Sequence, residues 1–136
     1  MEQVVIRAVA GVLKKDSWVL MASRPVGKSH AGSWEFPGGK LENGETAITA
    51  LIRELHEEIG VIVDARHCNY LTFIQQDYSH TKVELDVVVV SHWTGEIVAV
   101  ENQELSWQDL TKPCMISPLL PTTKKILNLL ASSKLY

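Results

Sequence analysis

Glu54, Glu57 and Glu58 stand in a stretch, residues 46–59, that contains neither proline nor glycine and is followed by Gly60. That composition predicts a helix over Thr46 to Ile59 with a glycine stop. At about 100° per residue, Ile48, Leu51, Ile52, Leu55 and Ile59 fall on one face, the buried one. The three glutamates fall on a neighbouring face, because spacings of three and four bring helical side chains together. Like charges at that spacing repel by a few tenths of a kcal/mol per pair, and a divalent cation reverses the sign. Hard cations take oxygen ligands, and Mg2+ prefers a few carboxylates plus phosphate oxygens to a full protein cage. The chemistry on offer is metal-assisted work on phosphate. Three acids on a helix are by themselves more often a solvated face, so the surroundings must carry the weight.

Those surroundings are specific. Gly39 precedes Glu45 by five intervening residues, and seven more lead to Arg53-Glu54-Leu55, then Glu57-Glu58 and Gly60-Val61. The pattern resembles the Nudix box, the signature of the Nudix hydrolases, with no departure at any fixed position. Chance agreement at all of these positions is on the order of one in a billion per start site. The resemblance implies a loop–helix–loop in which the Gly39 carbonyl joins Glu54, Glu57 and Glu58 around Mg2+ or Mn2+. It also implies that Glu54 is the general base and that Arg53 orients a carboxylate without doing chemistry. Glu45 lies in the first helical turn, where a carboxylate also suits the helix dipole; it is either a structural residue or a reserve base. Gly38 and Gly39, after Pro37, can take backbone angles closed to other residues and let main chain approach a ligand.

Outside the box, Arg24 and the run Trp34-Glu35-Phe36-Pro37-Gly38-Gly39-Lys40 are similar to the approach segment of MutT-type enzymes. So is Val100-Glu101-Asn102-Gln103-Glu104-Leu105-Ser106-Trp107, whose Glu101 the resemblance makes a further metal ligand. Arg24 matches a substrate-contacting arginine. Tyr78 matches approximately an aromatic that stacks on the base, with Phe36 beneath it; such stacking is worth about 1–3 kcal/mol per base. Both aromatics would serve equally well in a core. His30 stands one position away from the expected histidine. Ser117-Pro118-Leu119-Leu120-Pro121 departs from the pattern, because Leu119 replaces the Asn or Asp that hydrogen-bonds an oxidised guanine. A pocket that has lost a polar partner discriminates less.

The chain must position these residues within one domain, 1–136, whose 136 residues suffice for a real core. A net charge of −3 argues against binding of nucleic acid polymers. Cys68 and Cys114 are far apart and lack metal-ligand spacing, so they read as thiols of a reducing compartment. No stretch has the character of a signal peptide or the length of a membrane span. A cytoplasmic protein without a membrane partner, monomeric or a weak homodimer, is expected. Val4 to Leu13 and Trp18 to Ser23 predict a hairpin around Lys14-Lys15-Asp16-Ser17. Further strands are expected over Tyr70 to Tyr78, Val83 to Trp93 and Glu104 to Leu110, the valine run Val87–Val90 being covered on both sides. Thr122 to Ala131 predicts a closing helix with Ile126, Leu127, Leu129 and Leu130 on its apolar face. The expected fold class is α/β, a Nudix fold with a mixed β-sheet in an α/β/α sandwich.

Several activities fit this reading. The first is a MutT-like nucleoside triphosphate diphosphatase acting on oxidised purine nucleotides such as 8-oxo-dGTP, in nucleotide pool sanitation and DNA repair. Next comes a pyrophosphohydrolase of CTP or modified dCTP, then a dinucleotide polyphosphate hydrolase. A non-catalytic nucleotide-binding module is the rival from another class; such modules tend to lose box acids, and here all are present.

Overall fold

A computed structural model describes residues 4–133, and its central strand is β1 (Val4–Lys15). β1 turns through Asp16 and Ser17, Asp16 adopting φ 55°, into β2 (Trp18–Ser23), pairing Lys14 with Val19 and Lys15 with Trp18. The short β3 (Trp34–Glu35) pairs with the end of β2, and β4 (Gly38–Lys40) pairs antiparallel with Ala8–Ala10 of β1. After the box helix α1 (Ala47–Ile59) come β5 (Cys68–Asp77) and β6 (Thr81–Val90). β6 lies parallel to β1 from Val4↔Thr81 to Leu13↔Val90, and β5 is antiparallel to β6 with a bulge near Leu71. β7 (Leu105–Asp109) pairs along β2, and α2 (Pro121–Ser133) closes the chain. The sheet of seven strands among the described residues is therefore mixed.

Strand periodicity splits the core into two layers, since successive side chains point to opposite faces. Val9, Leu13, Leu20, Val88 and Val90 pack with Leu51, Leu55 and Ile59 of α1. Ala10, Val12, Val19, Met21, Leu85 and Val87 pack with Ile126 and Leu130 of α2. That is the expected α/β/α sandwich. Val87, Val88 and Val90 are fully buried, as a strand covered on both faces requires.

α1 begins at Ala47 because Thr46 caps it. Thr46 Oγ1 accepts from Thr49 N–H at 3.2 Å while Thr49 Oγ1 accepts from Thr46 N–H at 2.9 Å. It ends where Gly60 takes a left-handed φ of 75° and donates to the His56 carbonyl. Ala47 and Ala50 join Leu51, Leu55 and Ile59 in the buried face, whereas Ile48 and Ile52 pack at its margin. Each fully buried Leu or Ile there contributes about 1.5–3 kcal/mol. β5 starts two residues earlier than expected. β6 stops at Val90 rather than Trp93, because Ser91 N–H turns to the His67 carbonyl and Trp93 stacks on Trp107.

Candidate active site

The acids of the box divide once α1 is docked. Glu54 and Glu58, one turn apart, line a cleft of about 750 Å3 together with Gly38, Gly39 and Glu101. Glu57 does not line it: its side chain is 56% exposed on the rim, against 17% for Glu54. β4 meets the helix so closely that a Cβ at Gly39 would overlap the Glu54 carboxyl group, and one at Gly38 would overlap the Val9 carbonyl. Backbone makes glycine a requirement at position 38, whereas a side chain at position 39 would displace the Glu54 carboxyl group from its place. Gly38 N–H donates to Glu58 Oε2 at 3.0 Å.

Arg53 organises the other side of this row. Its Nε and Nη2 donate to the two Glu45 oxygens, each at 2.8 Å. Nη1 reaches Glu54 at 2.9 Å and Glu57 at 3.2 Å, and Nη2 also donates to the Lys40 carbonyl. Such a two-pronged pair fixes direction as well as charge. Arg53 holds the Glu45 carboxyl down at about 2, with the Glu42 N–H adding a further hydrogen bond. Both Glu45 oxygens are thus engaged away from the cleft.

Burial acts in the opposite direction on the inner acids. It pushes Glu54 up against the pull of Arg53, with help from the charges of Glu57 and Glu101. It pushes Glu58 up to about 8; the Gly38 N–H opposes this, while Glu54, Glu101 and Glu35 reinforce it. The folded pKa of Glu58 therefore lies above its unfolded value. Between the ordinary carboxylate value of 4.5 and about 8 the unfolded chain releases a proton that the fold retains, so stability falls as pH rises. Glu58→Gln is accordingly expected to raise the Tm of chelator-treated protein by several degrees at pH 8 and by much less at pH 5. Melting curves in EDTA at the two pH values check this; an equal gain at both would count against it.

Glu101 comes from a loop strapped across the end of α1. Val98 N–H donates to the Ile59 carbonyl, and Val100 N–H to that of Glu58. Arg24 lines the same cleft; its Nε donates to the Ser29 carbonyl at 2.6 Å and its Nη1 donates to both Glu35 oxygens at 3.2 Å. Burial raises the Glu35 pKa, and Arg24 opposes it. Tyr78 and His30 line the same cleft with ring centres 6.3 Å apart. Phe36 is buried among the residues of the α2 layer and contributes to the cleft lining from there.

Leu120 and Thr122 form the wall near α2, and Leu119 is not in the lining. Leu119 instead lies in a parallel bridge to Trp34, where Trp34 N–H donates to the Pro118 carbonyl and Leu120 N–H to the Trp34 carbonyl. Neighbours in an extended segment face opposite ways, so the apolar residue at the wall is one position further on than expected. Sequence reasoning set His30 aside and treated Glu35 and Gln103 only as parts of longer patterns. Their neighbours in space come from distant segments, and no spacing announces them.

The cation fits this acid side in kind. Glu54, Glu58, Glu101 and the Gly39 backbone offer only oxygen donors, as a hard divalent ion requires, and the cradle between Gly39 and Glu54 is one that a Cβ would fill. No three His, Cys, Asp or Glu side chains among the described residues converge on one point. Arg53 draws Glu54 and Glu57 to itself, and Gly38 holds Glu58.

The family described as NUDIX domain matches residues 4–130. An 8-oxo-dGTP diphosphatase of Proteus vulgaris is 41% identical over 99 residues, 71% of this chain and 86% of that protein. A CTP pyrophosphohydrolase of Escherichia coli is 37% identical over 102 residues, 75% of this chain and 74% of the other. Among solved structures, the E. coli ORF135 protein superposes with a TM-score of 0.82 at 30% identity, covering 98% of this chain and 93% of its own. A MutT NUDIX hydrolase from Burkholderia pseudomallei has the same fold, with a TM-score of 0.82 at 24% identity and coverage of 92% and 97%.

Proposed function

This chain belongs to the Nudix family, whose hydrolases act on phosphoanhydride bonds, and we propose that within it the protein is a MutT-like nucleoside triphosphate diphosphatase. Its substrate on this reading is an oxidised purine nucleotide such as 8-oxo-dGTP, cleaved to the monophosphate and pyrophosphate, which cleanses the nucleotide pool and spares DNA repair. The observation that carries the reading is one cleft lined both by the acids Glu54, Glu58 and Glu101 and by Arg24, Tyr78 and Phe36. Gly39, Glu54, Glu58 and Glu101, with Glu57 at the rim, would hold Mg2+ or Mn2+, which when bound would neutralise phosphate charge and acidify water.

Within that arrangement Glu54 accepts the proton of the attacking water at its carboxylate. Arg53 is a positioning residue, and Glu45 acts through it by fixing the guanidinium that restrains Glu54. Arg24, aimed by Glu35, binds the nucleotide. Tyr78 stacks on the base, with Phe36 beneath it.

The base end supports a second reading. Near α2 the wall offers the apolar Leu120 and the hydroxyl of Thr122, the Gln103 carboxamide elsewhere in the lining is engaged at both ends, and a CTP pyrophosphohydrolase is among the relatives. Losing one hydrogen-bond partner costs about 1–3 kcal/mol, or roughly tenfold to a hundredfold in discrimination. We expect kcat/KM for 8-oxo-dGTP to exceed that for dGTP, and Leu120→Asn to widen the ratio. CTP and 5-methyl-dCTP measured alongside decide between the readings: a clear preference for a cytosine nucleotide replaces the first with the second.

A further inference from the structure

Gln103 is buried at 7% exposure in the wall of the cleft, and both ends of its carboxamide are engaged. Nε2 donates to the Glu58 carbonyl at 3.0 Å, and Oε1 accepts from the Glu101 N–H at 2.9 Å. The orientation of the amide is determined by its partners, since the flipped form would set oxygen against oxygen and N–H against N–H. The Glu58 carbonyl belongs to the last turn of α1, where carbonyls have no partner within the helix. It receives the Val100 N–H at 3.1 Å as well. Asn102 makes the fold-back possible with a left-handed φ of 60°, a conformation asparagine tolerates better than most residues.

One side chain thus ties the backbone of Glu101 to the backbone of Glu58, while both glutamate side chains look into the same cleft. We infer that Gln103 is a positioning residue that sets Glu101 against Glu54 and Glu58, so that divalent-cation affinity depends on its carboxamide. The inference rests on the assignment of Glu101 as a cation ligand. A carboxylate at position 103 would accept from Glu101 N–H but could not donate to the Glu58 carbonyl, and it would add negative charge beside two acids. Asparagine keeps both functions but is one methylene too short to span them.

The test is Mn2+ binding to the full chain without nucleotide, by calorimetry, for wild type, Gln103→Met, Gln103→Asn, Glu101→Gln and the double variant Gln103→Met/Glu101→Gln. Partners that orient a ligand typically contribute 10–100-fold in metal affinity. Gln103→Met is expected to lose that much with its circular dichroism unchanged, and Gln103→Asn to lose a similar amount. The double variant should bind no more weakly than Glu101→Gln alone, because the glutamine acts through that glutamate. Amide hydrogen exchange at Glu101 should accelerate in both position-103 variants. If Gln103→Met does not fold, Gln103→Asn and its exchange rate carry the same test. Lower Tm with unchanged Mn2+ affinity would show a purely structural role and overturn the inference, as would additive losses in the double variant. Unchanged Mn2+ affinity in Glu101→Gln would instead remove the ligand assignment on which it rests.

Discussion

Glu54→Gln is expected to lower kcat by roughly 100- to 10,000-fold, the usual contribution of a general base, while the protein keeps its fold. The substitution preserves shape and leaves an oxygen to accept from Arg53 Nη1, which now reaches Glu54 at 2.9 Å. What it removes is the ability to take a proton. Glu54 is suited to that task by burial, which raises its pKa and strengthens it as a base relative to an exposed glutamate. Glu45 is a poor substitute, because Arg53 occupies both its oxygens and holds its pKa at about 2. Single-turnover kinetics at saturating Mg2+ separate the proton transfer from ion binding. Near-native turnover there would move the base to Glu101, the other acid in the cleft with an exposed path to water.

Withdrawing divalent cations is expected to abolish hydrolysis, and adding Mg2+ or Mn2+ to restore it. The acid side holds carboxylates and backbone oxygens, a set that suits hard ions rather than the thiolate and imidazole ligands of softer ones. The charges of Glu54, Glu58 and Glu101 raise one another's cost in a partly buried row, and a triphosphate would add more negative charge to the same place. Activity measured after EDTA treatment and desalting, with and without each ion, checks the point. Full activity in the stripped protein would end the metal-dependent reading. Zn2+ restoring activity better than Mg2+ would point to a nitrogen ligand, with His30 the imidazole in the cleft.

Much of the box was legible because helix geometry converts spacing into position. Ile59, Leu51 and Leu55 had to face the core once the run from 46 to 59 was helical, and Gly60 marked its end, whereas Thr46, expected as its first residue, caps it instead. The same local rule put Glu54, Glu57 and Glu58 on adjacent faces, and the unbroken valine run from Val87 to Val90 called for cover on both sides of its strand. Local rules could not say which of the three acids enters a cleft. That was decided when β4 docked against α1, leaving room at Gly39 for the Glu54 carboxyl and turning Glu57 to the rim. Glu101 and Gln103 reach Glu58 from more than forty positions away through the left-handed turn at Asn102. His30 meets Tyr78 across a loop, and one step of an extended segment exchanges Leu119 for Leu120 at the wall. Contacts within a helix follow from its repeat, whereas contacts between segments depend on loop dihedrals and packing that no residue spacing encodes.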